Sequence, residues 1–401
     1  MFEIFFLVLF SLSKRLLLFL SFVWALERKK TLFVFDGENE ETLARNGKKS
    51  LLNPQNNNIK LLIMPFKTKL TELCGIEHPI VQGGMHYVGY PSLAAQVSNA
   101  GGLGIITALT IAQPPRGAEA LRDAIRECRR LTDKPFGVNI TLLPVGVPPD
   151  YEGIVRVIIE EGVKIVETAG RSPAAVIKPL KKAGIIVIHK CVAIRHALSA
   201  AKAGADMISM DGFDCGGHPG EEDVGNWVLL AKAGSVLREH NIPFIASGGC
   251  ATETQLAAAL SLGAEGMNMG TRFMATREAP IHANIKKALV EADERSTTHI
   301  FRTVNNTERV YKNAQAMKVR EIESEHPGDF SKIYHLVKGE LYRKSFQETG
   351  DTENSVWSCG QSIGLIDDVK SCKELITDIV NEAENTIRGR LSSMLVHRSR
   401  Y

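Results

Sequence analysis

From His78 onward the chain alternates short runs rich in apolar and β-branched residues with longer stretches whose apolar positions recur at helical spacing. The runs are PIVQGG (79–84), GLGIITAL (102–109), PFGVNITLL (135–143), KIVETAG (164–170), IIVIHKC (185–191), MISMDG (207–212), PFIASGG (243–249) and GMNMGTRF (266–273). Their starts lie roughly 20–35 residues apart, the length of a strand, a helix and their loops. Between them stand helical patterns such as PSLAAQVSNAG, LRDAIRECRRL and IRHALSAAKAG, the first and last closed by the stop signals Gly101 and Gly204. Strands that are apolar almost throughout predict a parallel sheet covered on both faces, and eight units select an α/β (β/α)8 TIM barrel over an open doubly wound sheet.

A barrel builds its site at the C-terminal ends of its strands. Read in order, those ends are Gln82, Gly83 and Gly84; Thr107; Asn139 and Thr141; Thr168 and Gly170; His189 and Lys190; Asp211 through His218; Ser247, Gly248 and Gly249; and Gly270 with Thr271. Nearly all are polar or glycine, as a ligand mouth requires and a packed core does not.

The flanks divide the chain into three predicted parts. Residues 1–63 are a leader or disordered extension: the apolar stretch from Met1 to Leu26 is split by Lys14 and Arg15, leaving each run short of the roughly 20 residues of a spanning helix. A polar, aperiodic segment follows it. Residues 64–280 form the barrel. Residues 281–401 show helical periodicity without strands and predict a helical subdomain on the barrel mouth, whose WSCGQSIG loop acts as a lid; packing on the barrel wall fits the periodicity equally well.

Composition narrows the partners. Lys+Arg 48 against Asp+Glu 45 gives a formal charge of +3 with both signs interspersed, so nothing points to nucleic acid, and small molecules are the expected partners. The seven cysteines are scattered with no CxxC pair, which argues for free thiols in a reducing, cytoplasmic setting and against a bound metal. A membrane or organelle enters only through the N-terminal leader. Monomer and homodimer both fit.

Two glycine-rich turns carry the first chemical signal. SGG (Ser247, Gly248, Gly249) and MGT (Met269, Gly270, Thr271) follow strands seven and eight, where barrels commonly hold a phosphate on backbone N–H groups and a hydroxyl. Each alone reads equally well as an ordinary turn. QGGM, with Gly83, Gly84 and Met85, offers two bare backbone positions and a thioether to a broad planar ring, which favours a flavin mononucleotide over a sugar phosphate. Asn139, Thr141 and Lys190 are placed to reach ring heteroatoms or the ribityl chain, Asp211 a ribityl hydroxyl. Gly216 and Gly217 let the chain pass the ring face, and His218 projects into the mouth as a proton acceptor or donor. The alternative for His218 is a loop organiser bonded to Asp214 or Glu221. Cys215 reads as structural, and Glu221, Glu222 and Asp223 read as the approach to a helix starting near Asn226 rather than as metal ligands.

The blocks HPIVQGGM, AGGLGIITALT, KPFGVNITLLP, IHKCVAIRHALSAAKAGAD, DGFDCGGHPGEED, ASGG and NMGTRF, in that order, resemble the FMN-dependent nitronate monooxygenase family, also known as 2-nitropropane dioxygenases. The GGHPGEED loop, ADERST and WSCGQSIGLI are most similar to its NADH:quinone reductase branch; FMN-type enoyl-acyl-carrier-protein reductases share the first blocks. The resemblance implies a non-covalent FMN contacted by Met85, Thr141, Lys190, Asp211, Gly216, Ser247, Gly249, Gly270 and Thr271, with His218 as the catalytic histidine. It implies small substrates, nitronate with O2 or NADH with quinone, NADH docking transiently. Pro144 matches a residue implicated in nicotinamide binding, while Gly146 stands where a longer polar side chain is expected. A phosphate-sugar barrel enzyme without flavin, or a barrel that has lost catalysis, would account for fewer of these blocks.

Overall fold

The computed structural model describes residues 66–142 and 149–395. The leader assigned to residues 1–63, and Pro144 and Gly146, lie outside the described residues.

All eight runs form strands of one closed parallel barrel: β1 (Ile80–Gln82), β2 (Leu103–Thr107), β3 (Phe136–Leu142), β4 (Ile165–Gly170), β5 (Ile186–Cys191), β6 (Met207–Asp211), β7 (Phe244–Ser247) and β8 (Met267–Met269). The barrel closes through β8 against β1, with Ile80 opposite Met267 and Gln82 opposite Met269. After the first seven strands come α1 (Pro91–Asn99), α2 (Ala118–Leu131), α3 (Tyr151–Glu160), α4 (Ala174–Lys182), α5 (Ile194–Ala203), α6 (Asn226–Glu239) and α7 (Glu253–Ser261). The stop signals behave as expected: Gly204 caps α5 at φ +113°, and Gly101 follows α1 at φ +88°, conformations costly for any residue with a Cβ. The start of α7 is fixed by a capping box between Thr252 and Gln255.

The period of two along each strand sorts the barrel interior into layers. Val81, Leu103, Ile105, Ile165, Ile188, Met207 and Ile245 fill the lower interior, and the short helix Lys69–Cys74 closes that end with Leu70 and Cys74. Two residues further along the same inward register stand Asn139, Glu167, Ser209 and Asn268, all buried. The interior thus changes from apolar to polar below the mouth.

Beyond β8 the chain is mostly helical, with α8 (Ala283–Glu291), α9 (Ala314–Glu325) and α10 (Cys372–Asn385). It also holds two strands that the periodicity does not reveal, β9 (Thr297–Ile300) and β10 (Glu308–Tyr311), paired antiparallel. The strands TTHI and ERVY are four residues each and half-polar, too short and too mixed to register as strands in sequence. Around them Ile300, Phe301, Val310, Val319, Ile333 and Val356 form a separate small core.

The last helix has a different place. Only the four-residue turn Thr271–Met274 follows β8 directly, and α10 packs between α7 and α1, completing the outer ring. Its buried face is Leu375, Ile376, Ile379, Val380 and Ala383, and Ser371 with Glu374 makes its capping box. The C-terminal segment therefore supplies both features that its periodicity left open: α10 packs on the barrel wall, while residues 356–362 lie at the mouth. Among the described residues no helix is long and apolar enough to cross a membrane.

Candidate active site

At the C-terminal end of the barrel lies a cavity of about 840 Å³. Gly83, Gly84, Met85, Thr141, Lys190, Asp211, Gly216, Gly217, His218, Ser247, Gly248, Gly249, Gly270 and Thr271 all line it. The strand-end prediction thus brings fourteen expected residues, scattered over nearly 190 positions, to one place.

Two expected ligand contacts are not in the lining. Met269 points outward into the core between barrel and helices, at 1% exposure, because on β8 the inward position is its neighbour Asn268. Asn139 does point inward but one layer too deep, beneath Gly84: its Nδ2 donates to Glu167 Oε2 at 2.8 Å and its Oδ1 accepts from Thr141 Oγ1 at 2.8 Å. It orients wall residues instead of meeting a ligand.

The sequence reading passed over Glu167, the centre of that layer. Its carboxylate is 1% exposed and accepts from Gly84 N at 2.9 Å, Asn139 Nδ2 at 2.8 Å and Asn268 Nδ2 at 2.9 Å. A buried carboxylate persists only when donors and a cation replace its water, and these donors fix the backbone of the QGGM turn from below. The signal was legible: in KIVETAG a single acid interrupts an apolar strand at an inward position.

Lys190 and Asp211 stand at the end of that register, Nζ to Oδ2 3.4 Å apart. Burial pulls the Lys190 ammonium downward, but Asp211 and then Glu167 outweigh it, so the side chain is held above its ordinary value and stays charged. Burial also pushes the Cys215 thiol well above its usual range, with Asp211 adding to the effect, which leaves no thiolate to act as a nucleophile.

The polar end of the cavity fits a phosphorylated ribityl chain and a flat ring. Gly248 and Gly249 take φ +81° and +69°, and their N–H groups donate to no acceptor among the described residues. Thr271 Oγ1 accepts from Gly360 N at 2.8 Å, so its own hydrogen is available to an anion. Asp211 Oδ1 and Asn268 Oδ1 are buried without a hydrogen-bond partner among the described residues, two acceptors suited to ligand hydroxyls. A Cβ on Gly270 would stand 3.6 Å from Met85 Sδ, which places that thioether beside the eighth strand's turn. Thr107 fixes the Met85 turn by accepting from its N–H at 2.9 Å and donating to its carbonyl at 3.0 Å.

The loop Asp211–Asp223 is held by the unforeseen hairpin. Gly217 and Arg309 exchange both backbone bonds, at 3.1 and 2.7 Å. The buried Arg309 guanidinium donates from Nη2 to the Phe213 carbonyl at 2.9 Å and lies 4.7 Å from the Phe213 ring centre. His218 Nδ1 lies 3.1 Å from the Thr307 carbonyl, and because a carbonyl only accepts, Nδ1 carries the proton and Nε2 offers its lone pair. Thr307 is held in turn by Glu221, which accepts from its N–H at 2.8 Å and from its hydroxyl. Within the acidic run Glu221 thus acts through Thr307, while Glu222 pairs with Arg195 and Asp223 with Arg302, and His218 bonds neither Asp214 nor Glu221.

The other end of the cavity is apolar, walled by Leu109, Pro114, Phe301, Val337, Tyr342 and Val356. Ser358, Cys359 and Gly360 of the WSCGQSIG segment close it beside Gly216.

Comparison with known proteins agrees with this geometry. A family model described as nitronate monooxygenase matches residues 67–382. The chain is 34% identical over 79% of its length to "(3aS,4S,5R,7aS)-5-hydroxy-7a-methyl-1-oxo-octahydro-1H-indene-4-carboxyl-CoA dehydrogenase" of Rhodococcus jostii, covering 96% of that protein. It is 28% identical over 80% of its length to a nitronate monooxygenase of Paraburkholderia phytofirmans, covering 96% of it. Among solved structures, FabK from Thermotoga maritima superposes with TM-score 0.74 and 39% identity, covering 82% of this chain and 100% of that one. With the family model spanning the barrel and most of the segment that closes its mouth, the chain belongs to the nitronate monooxygenase family of oxidoreductases.

Proposed function

We propose that the protein is an FMN-dependent oxidoreductase that exchanges hydride with a bulky, apolar organic substrate carried as a thioester. The observation that carries this is the mixed lining of one cavity of about 840 Å³: glycines and polar groups suited to a flavin, together with the apolar walls Leu109, Pro114, Phe301, Val337 and Val356. Similarity to a carboxyl-CoA dehydrogenase supports the thioester class.

Bound FMN would supply the two-electron acceptor or donor. The chain's own residues do the rest. The N–H groups of Gly248 and Gly249 and the Thr271 hydroxyl would hold its phosphate, and Asp211 and Asn268 would accept from its ribityl hydroxyls. Gly83, Gly84, Met85 and Gly216 would leave room for the ring, and Lys190 would supply it with a fixed positive charge. His218, its Nδ1–H committed to Thr307, takes or returns a substrate proton at Nε2. Phe301, Val337 and Val356 exclude water from the apolar end.

A second reading, oxidation of nitronate with O2 or electron transfer from NADH to quinone, draws support from the same histidine over the same cavity and from the 28% identical nitronate monooxygenase. Anaerobic stopped-flow of the yellow, FMN-loaded protein separates these. Bleaching of the flavin band by a hydroxyacyl-CoA, or by NADPH or NADH followed by reoxidation with an enoyl thioester, is the expected result. Bleaching by propyl-2-nitronate alone, or reoxidation by benzoquinone but no thioester, would replace it with the second reading.

A further inference from the structure

A second cavity, of about 610 Å³, opens beside the first on the β4–β6 side of the mouth. The two share Gly84, Thr141, Lys190, Asp211, Gly216 and His218 as walls, so one elongated ligand can reach from one into the other. Their chemistry differs. The second is lined by Arg171, His196, Ser199, Asn305 and Asn306, and among the described residues none of these five makes a side-chain hydrogen bond or ion pair. The acids on its wall are already engaged: Asp211 Oδ2 faces Lys190, and Glu221 binds Thr307 through both carboxylate oxygens. The surplus is one guanidinium and a set of polar side chains with no countercharge of their own, in a concave site contiguous with the reaction centre.

We infer that this side cavity binds the phosphate-bearing tail of the second substrate, with the Arg171 guanidinium gripping a phosphate and His196, Ser199 and the Asn305–Asn306 turn bonding its remaining oxygens. A planar fork matches phosphate oxygens two at a time, and the hydroxyl and amide donors complete the shell. The shared walls then bring the ligand's reactive end to the first cavity, beside His218. Two sources carry this chemistry, coenzyme A with its diphosphate and ribose phosphate, and a nicotinamide dinucleotide. The identity of the reacting head rests on the proposed function; the tail site does not.

The test is equilibrium binding to the FMN-loaded protein by titration calorimetry, using coenzyme A, NAD+, NADP+ and, as a phosphate-free control, pantetheine. Wild type is expected to bind at least one of the three phosphate-bearing probes. Arg171→Ala is expected to weaken that probe roughly tenfold or more and His196→Ala severalfold, the scale of one hydrogen bond to a charged group. FMN content and pantetheine binding stay unchanged. Loss confined to coenzyme A assigns the tail to the thioester carrier; loss confined to a dinucleotide assigns it to the hydride donor. The inference falls if wild type binds none of the three, if Arg171→Ala binds them equally well, or if pantetheine weakens in parallel. Tight, Arg171-dependent binding of coenzyme A without turnover of any thioester would sink the proposed function and leave the tail site standing.

Discussion

His218 owes its chemistry to a residue 89 positions away. Which imidazole nitrogen is available is decided by the Thr307 carbonyl, and Thr307 is itself held by Glu221. Glu221 is thus a positioning residue acting through a peptide unit. Glu221→Ala is expected to slow the half-reaction that needs His218 by roughly tenfold or more, less than the loss on removing a general base outright. The flavin spectrum should be retained, and Glu221→Gln, which keeps one acceptor, should recover part of the rate. The rescue discriminates: a purely structural defect would not be relieved by the conservative Gln. That Asp211, Gly216 and His218 belong to the site was legible from their place at a strand end. That Asn268 replaces Met269, and that Asn139 lies beneath the site, was not. Both depend on which face of the strand points inward and how deep, and a three-residue strand in GMNMG leaves that register undetermined.

Between elements, the critical contact is the approach of the β6 loop to the segment at residues 355–362. A Cβ on Gly216 would stand 2.6 Å from the carbonyl carbon of Cys359 and 2.7 Å from Gly360 N, backbone atoms that cannot rotate away. Gly216→Ala is expected to cost about 1–3 kcal/mol by overpacking. It should also weaken flavin retention, because Gly360 N, which bonds Thr271 Oγ1, must move with the displaced segment. Thermal melts with and without added FMN check this: a melting temperature equal to wild type in both would show that the two segments part freely. The hairpin β9–β10 escaped the sequence reading although it holds this loop. Its strands are four residues each, with one or two apolar side chains turned to the small core, while the outer edge of β10 pairs with Gly217 and Ser358, so they are too short for the alternation by which strands are recognised.

At the scale of the whole molecule, the outer ring of helices around the barrel is completed by α10, from late in the chain. Removing residues from 366 onward deletes α10 and with it the burial of Leu375, Ile376, Ile379 and Val380. At about 1.5–3 kcal/mol for each large apolar side chain, the loss is roughly 6–12 kcal/mol, comparable with the entire stability of an ordinary domain. The truncated chain is expected to be insoluble or to lack a cooperative unfolding transition, measured by circular dichroism on heating. A cooperative melt near the wild-type temperature would show that α10 is an accessory. The amino-acid sequence by itself determined the eight βα units, the barrel they close into and the end at which chemistry gathers, because strand and helix periods are local and a barrel orders its loops by strand number. Only the tertiary structure decided that Glu167 anchors the QGGM turn, that Thr307 sets the proton on His218, that Arg171 faces a second cavity, and that α10 is the eighth helix. Each of these depends on contacts between residues tens to hundreds of positions apart, whose distances no local pattern encodes.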